Sequence, residues 1–294
     1  MWDKLQTGSS SKVAADVITM ASLLLALVLT CAVPLAADTP RLGLETGFQR
    51  LYDLDFPGAQ KEFASWEKIN PENPMGPVSE AAGVLFSEFN RLGVLEAQFY
   101  ENDSLFAERK KYQPDPEQRA LFEQRLSSAE SLAKVSLGHD PKNLDALLAM
   151  TLASGLRSDY AGLIEKRNLA SLRYTKESAA WAEQLLAADP TCYDAHLAGG
   201  ITKYIVGSMA APVRWFLRLG GVPSDKAGGL ADLHTVATRG HLLAPFARIL
   251  LAIAYVRDKD VPRAREALLS LEKDYPNNPL FAKELTRLEK PLHP

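Results

Sequence analysis

From Arg41 to the C-terminus, apolar residues recur at the three- and four-residue spacing of amphipathic helices, and no alternating run bounded by turn residues points to a strand. The pattern predicts an all-α body. Leu44, Phe48 and Leu51 share one face of a first helix. Phe56, Ala59, Phe63 and Trp66 share one face of its partner, with Asp55-Phe56 as the turn between them. Val78, Ala81, Ala82, Leu85, Phe86, Phe89 and Leu92 form a face broad enough to pack on two sides, on a helix expected to run past Gly93 towards Phe99. Phe122, Leu126, Ala129 and Leu137 then carry the pattern to Pro141. Leu147, Leu148, Met150 and Leu152 begin a helix expected to end near Gly155, with Asp159-Tyr160 as the next turn signal and a long helical region from Ala161 to Ala188. Leu251, Ala252 and Tyr255 followed by Ala264 and Leu268 make the cleanest pair.

Four of these helices stop in the same way. Pro71, Pro141, Pro190 and Pro276 lie in the stretches NPENP, DPKNL, DPTCY and YPNNP, where proline cannot continue a helix and Asn or Asp can cap the next one. Twelve positions before each proline stands a small residue, Ala59, Ala129, Ser178 or Ala264, and eight before it Phe63, Ala133, Ala182 or Leu268. The chain therefore reads as a stack of helix pairs. Successive prolines are 70, 49 and 86 residues apart, so insertions interrupt the repeat.

The motifs DFxxAxxxF before Pro71, and LAxxY with DxxxAxxxL before Pro276, resemble the tetratricopeptide repeat (TPR). That resemblance implies an α-solenoid of helix-turn-helix units of about 34 residues with a concave groove. The stretches GLRSDYAGLIEKRNLA, DPTCYDAHLAGGITKYIVGS and ARILLAIAYVRDKDVPRAREALLSLEKDYPNNPLF are also similar to bacterial TPR-type proteins that carry an N-terminal export segment. The resemblance implies a fold and defines no activity. The expected architecture is an irregular TPR-like α-solenoid of antiparallel helix pairs preceded by one N-terminal hydrophobic helix. Its parts are a signal-anchor or transmembrane segment at 1–38, TPR-like helices at 41–100, a polar connection at 101–118, a modified region with inserts at 119–225, and a C-terminal pair with a capping helix at 226–294.

The N-terminal element rests on 21 uncharged residues from Val17 to Ala37, long enough to cross a bilayer as a helix. Lys4 and Lys12 on its N-terminal side, set against Asp3 and Asp16, give a weak signal for a cytoplasmic N-terminus and a body in the periplasm. Three fates compete: a retained anchor, a signal peptide removed after Ala37 to leave a soluble periplasmic or secreted body, and a lipoprotein acylated at Cys31.

Composition narrows the function classes. A formal charge of −3 and no basic run with interleaved aromatics leave no electrostatic footprint for nucleic acid. Phosphate-cradling loops and the HExxH, CxxC, CxxCH and GxSxG signatures are absent, so the expectation is a non-catalytic chain without metal or cofactor. Gly199-Gly200 reads as close helix packing, His234 and His241 as ordinary surface histidines, and Glu62, Glu67, Glu123, Glu130, Glu177 and Glu183 as solvated helix faces.

Two contact surfaces stand out. If the family's geometry holds, Leu148, Leu152, Leu197, Ile201, Tyr204, Ile249 and Ile253 point to the concave groove. Relatives that clamp an acidic peptide use Lys, Arg and Asn there; the apolar residues here imply an apolar partner segment or the chain's own inserts. The second surface lies between Tyr204 and Asp225, where Pro212 can open a short helix bearing Arg214, Trp215, Phe216, Arg218 and Leu219, suited to a membrane interface or a membrane-associated partner. The combined expectation is a scaffold subunit that binds protein partners at a membrane. The alternative is a soluble periplasmic protein holding a lipid or other apolar ligand.

Overall fold

The computed structural model describes residues 42–97, 112–208, 215 and 224–289, all of which belong to the second of two units, Arg41–Pro294. The segment Val17–Ala37, most of the connection 101–118 and most of the Trp215 stretch lie outside the described residues. Among the described residues there is no strand, and no helix is long and apolar enough to cross a membrane.

The repeated proline stop is one turn built four times. The residue before each proline closes the helix, with Asn70 donating to Trp66 O, Asp140 to Ser136 O, Asp189 to Leu185 O and Tyr275 to Leu271 O at 3.0, 2.8, 2.8 and 2.8 Å. Three residues later Asn73, Asn143, Cys192 and Asn278 donate back to that same residue's carbonyl at 3.1, 3.0, 3.2 and 3.1 Å. Proline between them supplies the fixed φ of the turn and lacks the N–H a helix would need. Asn143 and Asn278 also cap the next helix, accepting from the Ala146 and Leu280 N–H groups, and Asn73, just ahead of the next helix, accepts from Met75 N–H.

These four turns, with a further stop at Gly240, join five antiparallel pairs and a closing helix among the described residues. α1 (Leu42–Tyr52) pairs with α2 (Phe56–Ile69). α3 (Met75–Arg91), followed by the short α4 (Val94–Ala97), pairs with α5 (Pro116–His139). α6 (Leu144–Asp159) pairs with α7 (Asn168–Ala188), α8 (His196–Ser208) with α9 (Lys226–Arg239), and α10 (Ala244–Arg257) with α11 (Val261–Asp274); α12 (Pro279–Glu289) closes the stack. Second helices open on an aspartate cap, Asp55, Asp115, Asp225 and Asp260 accepting first-turn N–H groups, with α7 the exception.

The small and larger residues at fixed distances before each stop are the packing contacts inside each pair. Ala59, Ala129, Ser178 and Ala264 are buried, as are Phe63, Ala133, Ala182 and Leu268. A fifth member of this series ends at Gly240, with Gly229, Leu233 and Val236 buried at the matching positions. His241 stands where the other stops have proline, and its N–H donates to the Asp194 carboxylate at 2.9 Å. Proline there would remove that donor. His241 thus divides the 86-residue interval into 51 and 35, the latter one repeat long. Gly229 is required by close approach, because a Cβ would lie 2.4 Å from Tyr204 N across the α8–α9 contact.

Two local expectations are corrected. The helix over Val78 does not run past Gly93: α3 ends at Arg91, Gly93 takes φ +71°, and α4 starts separately. Gly155 and Asp159-Tyr160 do not end α6 in a turn either. The helix passes through Gly155 to Asp159 and widens into a π-helical turn, Tyr160–Ile164, closed by Glu165 N–H to Tyr160 O at 3.1 Å.

The stack curls until its last pair meets its first. Tyr52 donates to Leu242 O at 2.9 Å, and Asn278 donates its amide to Tyr52 O at 2.8 Å. Asn277 donates through both N and Nδ2 to Asp53, at 2.9 and 2.5 Å. Phe86 of α3 meets Phe246 of α10 edge-on, with ring centroids 5.6 Å apart. A closed ring of pairs results, with α1, α3, α6, α8 and α10 on its inner side.

Candidate functional site

Closing the ring turns the concave faces towards one another around a space they do not fill. Two adjoining cavities of about 120 and 180 Å³ occupy it. Both are bounded by Leu51, Tyr52, Phe86, Asp159, Ile201 and Phe246. The first extends between α6, α7 and α8 past Leu152, Leu156 and Leu197; the second extends towards α4, α10 and α12 past Phe89, Ile249, Ile253 and Phe281. Among the described residues no lysine, arginine or histidine lines either cavity.

Of the groove residues expected from sequence, the structure brings Leu152, Leu197, Ile201, Ile249 and Ile253 to the cavity walls. It does not bring Leu148 or Tyr204 there. Leu148 is buried in the main core, and Tyr204 is buried with its hydroxyl donating to Ala254 O at 3.4 Å. Trp215 is 65% exposed; Arg214, Phe216, Arg218 and Leu219 lie outside the described residues.

The polar groups on the walls are mostly spent on structure. Thr151, Ser178 and Thr202 donate their hydroxyls to Leu147 O, Thr151 O and Ala198 O at 2.9, 2.9 and 2.8 Å. Ser158 of α6 donates to Ser171 O at 3.0 Å and lies 2.7 Å from the Thr175 hydroxyl, which ties α6 to α7, while Thr175 donates to Ser171 O within α7 at 3.0 Å. Asp194 accepts from the N–H groups of His241, Leu242 and Leu243 at 2.9, 3.0 and 3.4 Å and so caps the entrance to α10. Burial raises the Asp194 pKa, and those three N–H groups oppose the rise.

Asp159 differs from all of these. It is the last residue of α6, it lines both cavities, and among the described residues no donor reaches its carboxyl. Burial alone pushes it up to about 7. Sequence reasoning takes it for a turn residue and misses it. A signal is present in the spacing, because Leu152, Leu156, Asp159 and Leu163 follow one helical stripe in which the aspartate takes an apolar position.

Elsewhere the carboxylates expected on solvated faces divide. Glu177 and Glu183 are exposed, whereas Glu67 and Glu130 form partly buried ion pairs with Arg125 and Arg157 that join neighbouring pairs of the stack. Arg125 also meets Glu80 at 2.9 Å, and Arg157 meets Glu123 at 3.2 Å. His234 is exposed and lies 2.5 Å from the Tyr255 hydroxyl. Among the described residues no cluster of three or more His, Cys, Asp or Glu side chains is arranged to hold a metal ion.

No protein-family model and no curated protein matches this chain. Among solved structures, it is similar to the crystal structure of a thermophilic TPR protein of Thermus thermophilus, at 16% identity and a TM-score of 0.42 over 85% of this chain and 98% of that one.

Proposed function

We propose that this chain is a non-catalytic binding protein whose site is the apolar chamber inside the ring, and that its ligand is a small, largely apolar molecule. The observation that carries this reading is unfilled apolar space where the inner helices converge. Pockets of about 120 and 180 Å³ lie side by side where the inner helices converge, and their walls are mostly apolar, as in small-molecule sites. An apolar cavity of about 150 Å³ takes up a molecule the size of benzene. Together the two reach the lower end of the ~300–1,000 Å³ typical of small-molecule sites.

The test is a fluorescence titration of the full chain with N-phenyl-1-naphthylamine, an uncharged apolar dye. Saturable binding is expected, and Ile201→Trp, which places an indole between both cavities, abolishes it while leaving helical circular dichroism intact. Absence of saturable binding, or equal binding by the variant, sinks the reading.

A second reading makes the protein a scaffold that holds a protein partner at a membrane, with its body in the periplasm and Val17–Ala37 as anchor or export signal. The exposed indole of Trp215 favours it, because a large apolar side chain left in water marks a candidate contact surface. Trp215→Ser then releases partner or membrane in co-purification from the native host. Unchanged co-purification removes that surface from consideration.

A further inference from the structure

The shared wall of the two cavities carries one group whose chemistry is unspent. Asp159 is partly buried, and its side chain borders both cavities. The hydroxyls nearby donate to main-chain carbonyls, as described above for Thr151, Ser158, Thr175, Ser178 and Thr202. The other titratable groups on the walls are committed too, Tyr52 of α1 to Leu242 O and Asp194 to three N–H groups. Charged neighbours on the same segment pair elsewhere: Arg157 with Glu123 and Glu130, Glu165 with Arg119 and Arg167. Tyr160 stacks on Phe122 with ring centroids 5.1 Å apart.

A carboxyl left without a partner in an apolar space is costly when ionised, which is why burial holds it near 7 rather than in the ordinary carboxylate range. A purely apolar ligand would leave that cost in place. A ligand carboxylate would add a like charge beside it. A protonated amine supplies both an opposite charge and N–H donors to the one acceptor that lacks them.

We propose that the chamber takes an apolar molecule carrying a protonated amine, with the ammonium group donating to Asp159 and the apolar remainder lying among Phe86, Ile201 and Phe246. The proposal rests on the chamber being a ligand site. It assigns Asp159 as the residue that selects the ligand's head group.

Isothermal titration of the full chain with octylammonium, octanol and octanoate tests it, with Asp159→Asn as the paired variant. Partitioning into any other apolar region is common to both proteins and cancels between them. Wild type is expected to bind octylammonium at least about tenfold more tightly than octanol, and Asp159→Asn to bind the two equally. The octylammonium affinity of wild type rises from about pH 6 to about pH 8 as the carboxyl ionises, while octanol affinity does not. Retention of the preference in the variant, or tighter binding of octanoate than of octylammonium, overturns the assignment. If octanol binds both proteins with no octylammonium preference, the amine proposal fails and the chamber stands as a ligand site. If none of the three binds or displaces the dye, the chamber reading fails as well.

Discussion

Replacing Asp159 with Asn in the unliganded protein removes an ionisation that the fold opposes, and the size of the effect follows from the burial of that one carboxyl. Its pKa rises from 3.8 to about 7 on folding, with burial as the cause. A carboxyl raised in this way contributes its full share of stability below 3.8 and loses it as pH climbs through about 7. Roughly three units at about 1.4 kcal/mol each make the wild-type penalty about 4 kcal/mol above pH 8. At pH 5 the penalty is about 1.5 kcal/mol, so the advantage of Asp159→Asn over wild type should grow by about 2 to 3 kcal/mol between pH 5 and pH 8. Any fixed cost of fitting the amide is the same at both pH values and drops out of the comparison. Glu80, Glu284 and Asp194 are also raised by burial and erode stability in the same direction, but they are present in both proteins and cancel. Urea unfolding of both proteins at the two pH values, followed by circular dichroism, measures the difference directly. A gap that stays constant with pH, or that shrinks as pH rises, refutes the argument that Asp159 lies unpaired in a low-dielectric chamber.

The repeat geometry makes three further predictions. Gly229→Ala forces a Cβ to within 2.4 Å of the α8 backbone and should cost more than about 2 kcal/mol, whereas Gly138→Ala meets open space and should be neutral or stabilising by up to about 1 kcal/mol; thermal unfolding compares the two. His241→Pro restores the sequence pattern of the other stops but removes the N–H that donates to Asp194, and should destabilise by about 1–3 kcal/mol in the same assay. Asp53→Ala deletes both bonds from Asn277 and should increase hydrogen exchange selectively in α12 and the end of α1, while exchange that stays unchanged in α12 would show that closure does not depend on this contact.

How far the chain can be read from its sequence depends on the range of the forces involved. The proline stops are local, and so is the packing of Ala59 under Phe63 or Ala264 under Leu268. Twelve- and eight-residue offsets in sequence therefore become buried positions in the fold. The fifth unit escapes because its stop has to donate a hydrogen bond to Asp194, forty-seven residues earlier in the chain, and its small residue is a glycine. Gly93 escapes because the broad face of α3 continues through Leu92 as if the helix went on, and only the positive φ at Gly93 ends it. The apolar identity of the groove is visible. Its closure is not, since Tyr52 meets Leu242 and Phe86 meets Phe246 across separations that periodicity cannot register. Asp159 is missed for a related reason: an aspartate beside a tyrosine reads as a turn unless the helix is known to pass through it.

The closed ring and the chamber are two consequences of one choice of residues. An open superhelix with Leu152, Ile201, Ile249 and Ile253 on its concave face would leave that face in water, at about 25 cal/mol for each Å² of apolar surface. Bringing the last pair and α12 against α1 removes much of that exposure, and polar contacts at the rim, Asn277 to Asp53 and Asn278 to Tyr52, set the register in which it happens. Some apolar area stays uncovered along the inner walls, around the two cavities. A ligand that fills the remaining space completes the burial that closure began. Such a ligand stabilises the fold in proportion to the logarithm of its concentration over Kd, so the ring's own melting temperature reports occupancy of the chamber. On the proposed reading, Asp159 makes that stabilisation depend on what the ligand carries at its head.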